Sequence, residues 1–120
     1  MRSGWQTHKG QQFFFGDYAN LNGDSLREEV DAGDVLIVQQ PVASVVALID
    51  VNGVTPTREN LGIFIKSVQR TTKYVRKSAV IGVGLSGQRK VLFDAVKRIT
   101  EDNMMVFDDV EAAKDWLLED

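Results

Sequence analysis

Cysteine is absent from the 120 residues, and histidine occurs once, as His8. Without thiols the chain has no disulfide staples and no thiolate metal site, and a single imidazole leaves little for nucleophilic or acid–base catalysis. No catalytic residue, metal or cofactor is expected. Long apolar runs are missing too. The start "MRSGWQTHKGQQFFFGD" lacks the apolar core of about 7 to 15 residues found in a secretory signal, and no stretch approaches the roughly 20 apolar residues of a membrane span. The expectation is a soluble, cytoplasmic protein with no transmembrane segment.

What is present suffices for one core. An apolar content of 43% in a chain of this length supports a single domain spanning residues 1–120 without staples or metals. The net charge of −3 conceals a segregation. Between Lys66 and Arg98 nine basic residues face one acid, Asp94, whereas the rest of the chain carries five basic and sixteen acidic residues. One reading is a bipolar surface that steers an anionic partner or pairs with a second copy. The other is that each charge solvates the outer face of its own helix. No nucleic-acid partner is expected.

Hydrophobic spacing gives the order of elements. "QQFFF" (11–15) reads as a strand, and "WQTH", joined through Lys9 and Gly10, as its antiparallel hairpin partner, with His8 a hairpin-tip residue. Rings alternate sides along a strand, so an edge position for Phe13 to Phe15 exposes at least one ring, a mark of a dimer interface. Ser25 and Glu28 form a capping box before the stripe begun by Leu26 and Val30, so a helix starts near residue 25. Its far end is open: Gly33 interrupts it, and "DVLIVQQ" (34–40) is rich enough in Val and Ile to pass as a strand, with helix favoured.

"SVVALIDV" (44–51) is apolar almost throughout, as in a strand covered on both faces. Thr55 as N-cap and Pro56 at the first helical position open the next helix, in which Leu61, Phe64, Ile65 and Val68 share one face. "SAVIGV" (78–83) is the third buried strand. Val91, Leu92, Ala95, Val96 and Ile99 then mark one face of a helix, and "NMMVF" (103–107) a short strand. Asp108 and Glu111 repeat the capping box, and Val110, Ala113, Trp116 and Leu117 form the face of a closing helix. This alternation predicts an α/β fold with a mostly parallel sheet and right-handed crossovers.

"LIDVNG", "YVRKSAVIGV", "KVLFDAVKR" and "FDDVEAAKDWL" together resemble the SpoIIAA-like proteins, relatives of the STAS domains and loosely grouped with SEC14-type domains. The resemblance spans about residues 39–118, and the first forty residues match in outline only. It implies a STAS-like mixed sheet of about five strands, mostly parallel with one antiparallel edge, and about four helices. STAS antagonists carry a phosphorylatable serine after a D-x-S-G pattern. Asp50, Val51, Asn52 and Gly53 match its first part, but Arg58, Glu59 and Asn60 stand where the serine is sought. Thr55 and Thr57 lie close by and are most simply caps.

Gly82, Gly84 and Gly87 have the G-x-G-x-x-G spacing of a dinucleotide loop, with Asp108 and Asp109 about twenty residues beyond. Only about thirty residues follow the loop, too few for the cofactor crevice, so plain loop geometry ranks first. A milder reading is an anion pocket: Ser86 as N-cap, N–H groups at Gly87 and Gln88, and the charges of Arg89 and Lys90. No G-x-S-x-G elbow is present.

In a parallel sheet the loops after residues 50, 83 and 107 emerge at one rim, where ligands bind in such folds. Asp50, Asn52, Thr55, Thr57, Ser86, Gly87, Arg89, Lys90 and Asp108 are therefore the candidate ligand or partner edge. Asp50 and Asn52 also fit an Asx turn with Gly53, and Asp108 a cap. The leading expectation is a non-enzymatic STAS-like module that binds a protein partner or a second copy as a homodimer. The alternative is a carrier of a lipid, nucleotide or other anionic small ligand at that rim.

Overall fold

The computed structural model of the protein describes residues 1–84, 94, 97, 98 and 103–119. A hairpin opens the chain: β1 (Gly4–His8) runs antiparallel to β2 (Gln11–Asp17), and its tip is Lys9–Gly10. Both tip residues take positive φ, 51° and 79°, which gives the tight two-residue turn whose twist suits a hairpin. His8 is not at the tip but is the last residue of β1. Its Nε2 lies 3.1 Å from Asp115 Oδ1, and Lys9 Nζ donates to the same oxygen at 2.9 Å. These two hydrogen bonds hold the Asp115 carboxyl below the usual carboxylate range.

Three parallel strands follow: β3 (Val45–Asp50), β4 (Val75–Ile81) and β5 (Met104–Phe107). The sheet order is β1-β2-β3-β4-β5, with β2 to β5 parallel and β1 the antiparallel edge. This is the mixed five-stranded α/β sheet that the residues predict. Three helices, rather than about four, are complete among the described residues: α1 (Gly23–Ile37), α2 (Arg58–Thr71) and α3 (Val110–Leu118). The expected helix marked by Val91, Leu92, Ala95, Val96 and Ile99 falls outside the described residues, although Asp94, Lys97 and Arg98 are helical.

Alternation along the strands sorts two cores. Phe13, Val46, Leu48, Ala79 and Ile81 point to one face and pack with Ala113 and Leu117 of α3. Phe14, Val45 and Ala47 point to the other and pack under Ile37 of α1. β2 is thus an inner strand, not an edge. Phe13 and Phe14 are fully buried and Phe15 is half-buried against the α3 cluster, so the FFF triplet exposes no ring as a dimer interface.

The question of residues 34–40 is settled through Ile37, where α1 ends. Gly33 is no interruption. A Cβ there would stand 2.8 Å from Phe14 Cζ, so the glycine is what lets the helix lie against β2. Helix starts differ from the sequence signals by one or two residues. α1 begins at Gly23, after Asn22, whose side chain makes no cap bond, so Ser25 lies inside the helix. α2 is capped by Thr57, whose Oγ1 accepts from Asn60 N, and not by Thr55. α3 is capped by Asp109 instead of Asp108.

The basic stretch divides between the faces. Arg70 pairs with Asp31 and Asp34 of α1, while Lys77 reaches across the α3 face to the carbonyls of Trp116 and Glu119.

Candidate functional site

The register places the ends of the parallel strands level: Asp17 pairs with Asp50, Asp50 with Ile81, and Ile81 with Phe107. The turns that follow therefore share one rim, as predicted. Asp50 Oδ1 accepts from Asn52 N at 2.9 Å and from Asn52 Nδ2 at 2.8 Å, which is an Asx turn, and Gly53 completes it at φ 75°. Asn52 O accepts from Asn20 N, and Ile81 O from Val51 N, which ties this turn to its neighbours. Asp108 follows β5, two strands from β3, which separates it from Asp50 by about 10 Å at the usual strand spacing. Ser86, Gly87, Arg89 and Lys90 lie outside the described residues.

A residue unmarked by local pattern organises the rim. Asn60 is buried, and its Nδ2 donates to Asn22 Oδ1 at 2.9 Å and to Thr55 O at 2.8 Å while its Oδ1 accepts from Gly23 N at 3.0 Å. Thr55 N also donates to Asn22 Oδ1. Asn60 thus binds the starts of α1 and α2 together. Asp50 and Asn52 bond each other, while Thr55 and Thr57 bond Asn22 and Asn60, so the described part of the rim is a knit of turns.

Open space lies elsewhere. Register brings Ala47 beside Ser78 on the face beneath α2, and two short side chains side by side leave the helix unsupported there. The result is a cavity of about 150 Å³, walled by Ile49, Val80 and Met104 of the sheet and Leu61, Phe64 and Val68 of α2. Tyr18, Asp34 and Ser67 contribute its polar wall.

Asp34 is buried on the last turns of α1. Its Oδ1 accepts from Ser67 Oγ at 2.8 Å, and its Oδ2 from Arg70 Nη2 at 2.6 Å and Nε at 3.1 Å. Burial raises this carboxyl above its ordinary range, and the Ser67 and Arg70 hydrogen bonds with the Arg70 charge only partly offset that. Burial likewise raises the Tyr18 phenol, with the charges of Asp34 and Glu29 adding to it. At the mouth of the β1–β2 pair, burial works against the Glu29 charge. Hydrogen bonds from Ser3 and from the N–H groups of Arg2 and Ser3 outweigh it and lower the carboxyl.

No group of His, Cys, Asp or Glu among the described residues is arranged to hold a metal ion, and no helix among them is long and apolar enough to cross a membrane.

No family model and no curated protein matches this chain. Among solved structures it is similar to an uncharacterized protein of the DUF3478 family from Shewanella loihica PV-4, described as having a SpoIIAA-like fold. The identity is 16% and the TM-score 0.74, with 96% of this chain and 91% of that one covered. The architecture implied by the sequence resemblance is thereby shown: the chain has a SpoIIAA-like fold.

Proposed function

We propose that the chain is a non-enzymatic, cytoplasmic STAS-like binding module that carries a small apolar ligand between α2 and the sheet. The observation behind this reading is the cavity of about 150 Å³ and its largely aliphatic and aromatic wall. An engineered apolar cavity of about that size takes up benzene, whereas pockets for drug-sized ligands run to roughly 300–1,000 Å³. One ring or a short chain therefore fits, and a nucleotide does not. The non-enzymatic part rests on chemistry: the lone histidine is committed to Asp115, on the opposite face of the sheet from the cavity.

Toluene or benzene should raise the melting temperature in a concentration-dependent way, since a ligand bound only by the folded state stabilises it by mass action. Ser78→Leu, which fills the gap beside Ala47, should abolish that rise, and Ser78→Ala should preserve it. A wild-type melting temperature indifferent to both probes would sink the reading.

Recognition of a second copy is the second reading, favoured by the exposure of Val35, Val38 and Val42 around the end of α1. Because these are apolar, a dimer built on them should keep its mass by light scattering at both low and high salt. A monomer at both would count against it.

A further inference from the structure

We infer that the cavity selects a neutral small molecule bearing a hydroxyl or carbonyl oxygen, which accepts from the Tyr18 hydroxyl, and that it excludes anions. This rests on the reading above that the cavity holds a ligand, and it names the ligand's chemistry.

Most polar groups in the wall are already used. Asn60 makes three side-chain hydrogen bonds, Ser67 donates to Asp34, Thr71 donates to Ser67 O, and both Asp34 oxygens are taken. Tyr18 differs. It is 3% exposed, its ring leans on Phe64 at 6.1 Å, and its hydroxyl lies beside Gly33, 3.1 Å from where a Cβ would stand. No hydrogen bond joins that hydroxyl to another described residue, and Tyr18 lines the cavity. Among the described residues no buried side-chain nitrogen or oxygen lacks a partner, so the Tyr18 hydroxyl is not sealed from open space, and an acceptor delivered by a ligand adds a hydrogen bond worth about 1 kcal/mol.

Charge decides which acceptor. Asp34 stands in the wall, and Glu29 adds negative potential at Tyr18. No Lys or Arg lines the cavity among the described residues, and Arg70, the partner of Asp34, is half-exposed on the outer side. A carboxylate or phosphate entering here would lose its water and meet a like charge. A neutral oxygen meets neither penalty. The ligand class is therefore a compact ring or short chain with one alcohol, phenol or carbonyl group, in contrast to the anion expected at the rim.

Phenol, toluene and benzoate, closely matched in size, test this by calorimetric titration of the wild-type chain and of Tyr18→Phe. Phenol should bind the variant about tenfold more weakly than the wild type, the worth of one hydrogen bond, with toluene affinity unchanged. Benzoate should bind neither. Should toluene bind and the phenol-to-toluene ratio be the same in both chains, the inference fails while the cavity reading stands. Benzoate binding the wild type as tightly as phenol would overturn the charge argument. Failure of all three probes would remove the cavity reading and this inference with it. A near-ultraviolet shift of the tyrosine absorption on adding cyclohexanol to the wild type, and its absence with methylcyclohexane, neither of which absorbs there, provides a readout independent of the variant's stability.

Discussion

Gly82→Ala is expected to destabilise the protein by about 3 kcal/mol, the sum of a left-handed backbone strain of about 1–2 kcal/mol and overpacking of similar size. Gly82 sits at φ 94°, and an added Cβ would stand 2.5 Å from the backbone nitrogen of Asn52 and 2.8 Å from its Cα. Backbone cannot swing aside as a side chain can, and Asn52 is held by its two hydrogen bonds to Asp50. Gly84 supplies the control. It has φ 81° but, among the described residues, nothing within 4 Å of a Cβ, so Gly84→Ala should show the conformational part alone, about 1–2 kcal/mol. Urea midpoints at constant slope measure both. Equal losses would mean that the close approach of the β3 turn is not the reason for Gly82. The first two glycines of the G-x-G-x-x-G spacing thus have a structural explanation that needs no nucleotide.

That loop illustrates what could be read from the residues and what could not. Val45 to Leu48 announce a strand because burial on both faces removes the alternation, and the Leu61, Phe64 and Val68 spacing announces α2. Both signals are local. Helix starts were missed where a side chain had a distant duty: Asn22 serves Thr55 and Asn60, 33 and 38 residues away, and so α1 begins without a side-chain cap. Gly33 looked like a break because its reason, the Phe14 ring, comes from another element.

The cavity was invisible for the same cause. Ala47 and Ser78 are unremarkable residues until strand register sets them side by side, and Tyr18 and Asp34 become one wall only when α1 folds over β2. The rim, by contrast, was legible in position because strand order alone fixes it. Its Asx turn at Asp50 and Asn52 was legible in chemistry as well. What sequence could not supply was the Asn60 network that ties Thr55 and Thr57 to Asn22.

Arg70→Met is expected to cost about 2–3 kcal/mol at neutral pH. Stripping the partner from a buried ion costs about 3–5 kcal/mol, and the half-exposure of Arg70 lowers that figure because water already screens part of the pair. Methionine keeps the stem packing and removes only the charge and its donors. The dependence on pH identifies the mechanism. A carboxyl whose folded-state value is raised, as burial raises Asp34, contributes stability that is complete below the unfolded value of about 3.9 and lost as pH rises through the folded one. Loss of Arg70 raises that folded value further. The deficit of the variant should therefore be small in acid, where Asp34 is protonated in both states, and grow as pH rises through the carboxylate range and beyond it. Adding Asp34→Asn should recover much of the loss at neutral pH, because the buried charge is then gone. A deficit of equal size at pH 4 and pH 8, with no recovery in the double variant, would assign the loss to the Asp31 contact of Arg70 instead. The wall of the cavity would then owe its shape to packing, with the buried carboxylate a passenger.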